Sequence, residues 1–189
     1  MNTPNKLTIL RILLIPLLVW LIYDGLMTWA LGVFVLASLT DWLDGYIARK
    51  YNQITTFGKF MDPLADKLLV TAALVAFVDL GYISGIVAII VISREFIVTG
   101  LRLVAISENK VIAAGWWGKI KTTLQIVMII MIMIYNNDIY QHGTTGTISF
   151  HLAVMVAIWG LIWLTTAVTV ISGIDYIWKN RSLLKTGGN

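Results

Sequence analysis

Cysteine is missing altogether from this chain of 189 residues, proline occurs three times and histidine twice, and only 13% of the residues are charged. Without cysteine there are no disulfides, no thiol nucleophiles and no thiolate metal sites, so any metal has to be held by oxygen or imidazole ligands. The scarcity of charge is about half the roughly one quarter usual in soluble domains. Together with 58% hydrophobic residues and a mean hydropathy of +0.83, it excludes an ordinary soluble protein and reads as an integral membrane protein. No Pro/Ser-rich linker, tandem repeat or low-complexity tract breaks the chain, so a single domain is expected.

What is present in place of charge is a series of long apolar runs. A helix needs roughly 20 mostly apolar residues to cross a bilayer, and six segments qualify: near Leu7 to Tyr23, Thr28 to Arg49, Pro63 to Leu80, Tyr82 to Ile106, Lys119 to Tyr135 and Ile148 to Ile177. Barrel strands would instead alternate apolar and polar residues over about ten positions. The first run, "LTILRILLIPLLVWLIY", has no small-residue cleavage site after it and is expected to be retained as a helix. The expected architecture is therefore an all-α integral membrane domain of six transmembrane helices over residues 1–178. Residues 179–189 form a polar, glycine-ended tail expected to be disordered.

Lysine and arginine orient these helices. They cluster at Lys6 and Arg11, at Arg49, Lys50 and Lys59, at Arg102, Lys110, Lys119 and Lys121, and at Lys179, Arg181 and Lys185, whereas "DGLMT", "DLGYIS" and "NNDIYQHGTTGTIS" carry none. The positive-inside rule then puts both termini on the cytoplasmic side of the cell membrane. The formal net charge of +4 follows from that topology and from attraction to anionic membrane lipids, and gives no reason to invoke nucleic acid.

Against this background the stretch "DWLDGYIARKYNQITTFGKFMDPLADK" stands out. Asp41 and Asp44 are spaced i, i+3 near the cytoplasmic end of the second helix, and Asp62 and Asp66 are spaced i, i+4 at the start of the third, so each pair shares a face. Antiparallel packing of the two helices would bring four carboxylates to one depth. Like charges at a low-dielectric boundary raise one another's pKa unless a cation intervenes. Hard oxygen donors suit Mg²⁺, Mn²⁺ or Ca²⁺, and four could hold two such ions, which points to metal-assisted phosphoryl transfer. Gly45 and Ala48 leave space on the Asp41 stripe, and Gly58 precedes Asp62. Two readings from other classes stay open: aspartates that merely cap helix ends or pair with neighbouring cations, and a divalent-cation transporter lined by acids. The second lacks a matching ring of acids near the outer ends.

Written as Asp41-x-x-Asp44-Gly45-x-x-Ala48-Arg49, eight residues, Gly58-x-x-x-Asp62-x-x-x-Asp66, the stretch resembles the signature of the CDP-alcohol phosphotransferase family at every specified position. "PNKLTILRILLIP", "SREFIVTGLR" and "GKIKTTLQ" extend the resemblance to the bacterial glycerophosphate branch over residues 4–125. The resemblance implies a six-helix membrane enzyme, assembled as a homodimer, that joins CDP-diacylglycerol to sn-glycerol 3-phosphate and releases CMP. It further implies that Asp41, Asp44, Asp62 and Asp66 surround two divalent cations, Mg²⁺ or Mn²⁺. Asp41, Gly45, Arg49 and Gly58 would seat the CDP-lipid, and Asp66 would also act as general base.

An acceptor with a phosphate dianion needs cations of its own. Arg94, embedded in the fourth apolar run, is costly in a membrane and is expected to face a protein interior or a wet cavity. Arg102 lies two i+4 steps further on, and Lys119 and Lys121 open the fifth helix after "AGWWGK". These four, with Asn5 and Thr8 from the N-terminal segment, are the candidate acceptor-phosphate residues. Adjacent helical residues diverge by about 100°, so direct pairing of Arg94 with Glu95 is not expected. An acceptor such as serine, with a carboxylate and an amine, fits this cluster poorly, whereas inositol phosphate is harder to exclude. His142 and His151 are read as incidental, the tryptophans as interface residues and the threonine run of the last helix as packing.

Overall fold

The structure is a computed structural model that describes the backbone of residues 3–50, 56–107, 115–137 and 148–181. Among the described residues every regular element is an α-helix: α1 Thr3–Tyr23, α2 Met27–Lys50, α3 Thr56–Asp79, α4 Gly85–Ser107, α5 Trp116–Tyr135 and α6 Ile148–Lys179. All six expected helices are present. The largest difference is at α3, which starts at Thr56 and not near Pro63. Phe57, Phe60, Met61 and Leu64 carry the i, i+3, i+4, i+7 spacing of an amphipathic helix. A search for unbroken apolar runs passes over such a segment.

Two tight turns set where helices stop. Gly25 and Gly81 have φ of +76° and +75°, a region that residues with a Cβ adopt only with strain. At the end of α3 the amide of Tyr82 donates to the carbonyl of Phe77 (2.8 Å) and that of Gly81 to Val78 (3.0 Å). This is the Schellman arrangement, which satisfies carbonyls left over at a helix end. Its usual apolar partner is present too, since the rings of Phe77 and Tyr82 lie 6.0 Å apart. At the end of α1, Leu26 donates to Leu21 (3.0 Å) and Gly25 to Ile22 (3.2 Å) in the same way.

The chain forms two compact units. The first contains α1, α2, α3 and the end of α5 from Ile130. Within it α1 packs against both α2 and α3, and α2 packs against α3. Its core is Leu18, Ile22, Met27, Phe34, Leu74 and Phe77, all essentially inaccessible, with Ala30, Ala37, Ala65 and Ala73 permitting close approach. An apolar groove of about 380 Å³ lies between α1 and α3, lined by Ile12, Pro16 and Val19 on one side and Leu68, Ala72 and Val75 on the other. The second unit contains α4, α5 as far as Ile129 and α6, with α4 packed on α6.

The outer surface is unlike a soluble protein's. Large apolar side chains such as Leu13, Trp29, Ile86, Ile89, Val156 and Ile174 are outside, while Arg11, Lys121, Gln125, Thr165, Thr169 and Ser172 are buried. Such a surface suits hydrocarbon, in which buried polar groups find partners within the protein. Two helices, Trp116–Tyr135 and Phe150–Lys179, are long and apolar enough to cross a bilayer by themselves. α4 is of spanning length at 23 residues but carries Arg94, Glu95 and Arg102.

Candidate active site

The aspartate motif occupies the first unit. Asp41, Asp44, Gly45 and Arg49 fall in the last third of α2, and Gly58, Asp62 and Asp66 in the first half of α3. The backbone of both stretches is helical, so the i, i+3 and i, i+4 spacings do place each acid pair on one face of its helix. The side chains of all seven residues, and that of Asn5, lie outside the described residues. Because α2 and α3 pack together and follow one another in sequence, the motif sits on the joined ends of a helical hairpin. Among the described residues no group of three or more potential metal ligands occurs. The donor set of the motif, four carboxylates with neither thiol nor imidazole, fits hard divalent cations such as Mg²⁺ or Mn²⁺ and not soft ones.

One further residue of this unit escaped the sequence reading. Arg11 on α1 is fully buried, and so is Thr8 one turn before it. Arg11 lies 12 residues before the end of α1 and Asp41 lies 14 after the start of α2, which is about 18 and 21 Å along the two helices. With the tight turn at Gly25 closing the α1–α2 hairpin, this buried cation is level with the beginning of the motif. The sequence had suggested only a topological charge for it. The available signal was its position: one turn inside an apolar run, where an arginine without a role is costly.

The second unit holds a polar cluster that is described side chain by side chain. Arg94 leaves α4 and its Nη2 donates to the hydroxyl of Ser172 on α6 at 2.6 Å. Its Nη1 donates to Oε1 of Glu95 at 3.5 Å, and the same oxygen accepts from Nζ of Lys121 on α5. The expectation that Arg94 does not pair with Glu95 is therefore corrected. The two Cβ vectors diverge, but the length of both side chains lets their ends meet at the limit of hydrogen-bond distance. Glycines make room for the guanidinium: a Cβ on Gly173 would come within 3.2 Å of Arg94 Cγ, and one on Gly118 within 3.7 Å of Nη2. Side-chain exposure is 12% for Arg94, 19% for Glu95 and 2% for Lys121.

Of the four basic candidates the structure brings two together. Arg94 and Lys121 meet on Glu95, whereas Arg102 and Lys119 are exposed. Lys119 and Lys121 part because residues two apart on a helix point about 200° from each other. A half-buried guanidinium and a buried ammonium meet on one carboxylate in a low-dielectric setting, and such a pair of cations is a suitable counter-charge for an anionic ligand. Glu95 and Ser172 are the members that the sequence reading missed. The threonines of α6 behave as packing residues, since Thr166 and Thr169 donate to carbonyls four residues back, at 2.8 and 2.6 Å.

Residues 1–172 match the CDP-alcohol phosphatidyltransferase family. The chain is 40% identical over 200 residues to the CDP-diacylglycerol–glycerol-3-phosphate 3-phosphatidyltransferase of Bacillus subtilis, covering 98% of each chain. It is 41% identical to the protein of the same name from Haemophilus influenzae, over 85% of this chain and 90% of that one. With its Escherichia coli K12 counterpart it shares 36% identity, over 85% of this chain and 91% of the other. The helical membrane architecture, the complete aspartate signature on two packed helices and a family match that spans most of the sequence lead to one conclusion: this chain belongs to the CDP-alcohol phosphatidyltransferase family.

Proposed function

We propose that this chain is a phosphatidylglycerophosphate synthase. It transfers the phosphatidyl group of CDP-diacylglycerol to sn-glycerol 3-phosphate and releases CMP, a step toward phosphatidylglycerol and cardiolipin. The observation that carries this reading is the end-to-end likeness to the Bacillus subtilis protein named for that reaction. The half-buried Arg94 and the buried Lys121 supply a physical reason for an acceptor that bears a phosphate.

The donor is read onto the first unit. Asp41, Asp44, Asp62 and Asp66 hold two divalent cations, Gly45 and Gly58 leave room for the CDP moiety, and Arg49 adds a guanidinium suited to phosphate oxygens. When bound, the cations neutralise the pyrophosphate and act as Lewis acids on the phosphoryl group. Asp66 takes the proton from the acceptor hydroxyl as its oxygen attacks the β-phosphorus, and the bond from that phosphorus to the bridging oxygen breaks to release CMP. A carboxylate with an ordinary pKa is a weak base, so Asp66 acts chiefly by position. The acceptor phosphate is read onto Arg94 and Lys121 in the second unit, with Arg102, Lys119, Asn5 and Thr8 as contributing polar groups. The enzyme is a multi-pass homodimer of the cell membrane with both termini and the active site on the cytoplasmic side.

The test is CMP release by the purified protein from CDP-diacylglycerol, with glycerol 3-phosphate, serine, inositol phosphate or no acceptor, each with Mg²⁺, Mn²⁺ or EDTA. Release that needs both glycerol 3-phosphate and a divalent ion is expected, and Asp66→Asn should abolish it while leaving CDP-lipid binding in place. Release with another acceptor alone would overturn the acceptor reading. Release unaffected by EDTA would overturn the metal reading.

A further inference from the structure

Arg11 lies on the inward stripe of α1. Leu18 and Ile22 follow it at i+7 and i+11, and all three are essentially inaccessible. On α2 the inward stripe is Ala30, Phe34 and Ala37, each fully buried, and Asp41 is its next position, at i+4 from Ala37. α1 and α2 pack together as a hairpin closed at Gly25. Counted from that turn, Arg11 stands about 18 Å along α1 and Asp41 about 21 Å along α2. The two therefore occupy one level on the inward stripes of packed helices.

A buried guanidinium inside an apolar helix needs an anion, and Arg11 is engaged by a neighbour. The described acids are all placed or occupied elsewhere. Asp24 follows the end of α1 directly, and Asp79 at the end of α3 interacts with Tyr23 at that same far end. In the second unit Glu95 accepts from Arg94 and Lys121, and Asp175 accepts from Lys179. That leaves the aspartate motif. Asp66 is level with Arg11 as well, about 20 Å from the end of α3, but a base paired with a guanidinium would hold a proton poorly. Asp41 meets the condition of level and of stripe without that conflict.

We propose that Arg11 is a positioning residue of the metal pocket: it pairs with Asp41 across the α1–α2 hairpin, aiming that carboxylate and compensating it when no divalent ion is bound. This rests on the reading of the four aspartates as a metal pocket, and brings α1 into it. Arginine suits the task better than lysine, because its planar fork engages a carboxylate through two parallel hydrogen bonds and it keeps its charge when buried.

The experiment measures Tm in detergent, in EDTA and in Mn²⁺, together with Mn²⁺ affinity from the paramagnetic resonance signal of the free ion. The parent is compared with Arg11→Met, Arg11→Lys, Asp41→Asn, Asp66→Asn and the double variants that join Arg11→Met to each aspartate change. In EDTA, Arg11→Met leaves a buried carboxylate unpaired and should lose about 5 °C or more in Tm. Mn²⁺ should restore most of that loss, since the ion then supplies the compensation. Arg11→Lys should fall between the parent and Arg11→Met, and the losses from Arg11→Met and Asp41→Asn should not add. If Arg11→Met does not fold alone, recovery of folded protein on adding Asp41→Asn is the same result. Additive losses in EDTA would overturn the pairing, as would a loss in Arg11→Met that Mn²⁺ leaves untouched while it stabilises the parent. Coupling to Asp66→Asn in place of Asp41→Asn would move the guanidinium to α3 and overturn it too. Failure of Mn²⁺ to bind or stabilise the parent would overturn the metal reading, and the cycle in EDTA would still decide the pair.

Discussion

Glu95 sets the charge of the second unit's polar interior. Its Oε1 accepts from both Arg94 and Lys121, and without it two cations would face each other with little water to screen them. Removing one member of a buried charge pair destabilises by about 3 kcal/mol or more, because the remaining charge loses its compensation. Glu95→Gln should therefore lower Tm in detergent, and glycerol 3-phosphate should restore it more strongly than it raises that of the parent, since the ligand then supplies the missing anion. A variant as stable as the parent, with an equal thermal shift, would show that Glu95 does not hold the cations. Reading the sequence by helical angle alone missed this contact. The 100° between neighbours fixes where side chains start, and the reach of arginine and glutamate decides where they end. The separation of Lys119 from Lys121 was legible, because residues two apart on one helix point about 200° from each other.

At the scale of helices, α4 and α6 come together around Arg94, and glycine governs the fit. A methyl group on Gly173 would approach Arg94 Cγ to 3.2 Å, tighter than an ordinary contact, whereas one on Gly118 would sit at a comfortable 3.7 Å from Nη2. Gly173→Ala should therefore displace the arginine from Ser172 and raise the glycerol 3-phosphate KM severalfold, while Gly118→Ala should change it little. Both are measured with CDP-diacylglycerol saturating; equal effects of the two, or none at Gly173, would mean that the slot is not what aims Arg94. The helices themselves were legible, because long apolar runs in a charge-poor chain leave few alternatives. The part played by α6 was not legible. Its polar residues are serine, threonine and tyrosine inside the most apolar helix of the chain, with mean hydropathy 2.2 in its best window. Such residues bond back to their own helix as often as they build a site, and only the position of Arg94 distinguishes Ser172 from Thr169.

For the whole molecule, the outward-facing apolar side chains and the tryptophans at helix ends agree with a protein whose solvent is lipid. Trp20 and Trp29 flank the α1–α2 turn, Trp116 and Trp117 begin α5 and Trp178 closes α6, all of them exposed, where indole rings favour the headgroup region. Orientation is a separate question, because a belt of aromatics marks both faces alike. Only the arginine and lysine asymmetry distinguishes them, and it assigns the α1–α2 turn to the outside and the end of α6 to the cytoplasm. The absence of cysteine makes this directly measurable, since a single introduced thiol is the only one in the chain. Asp24 and Arg181 are both exposed and lie at the two predicted faces. In intact cells a membrane-impermeant maleimide should label Asp24→Cys and spare Arg181→Cys, and permeabilisation should expose the second. The motif-bearing end of α2 is the end remote from Asp24, so this pattern would put the aspartates on the cytoplasmic side, where a water-soluble phosphorylated acceptor and released CMP can exchange with the cell interior. The reverse pattern would place the reaction on the outer face and would overturn the assignment drawn from the basic residues.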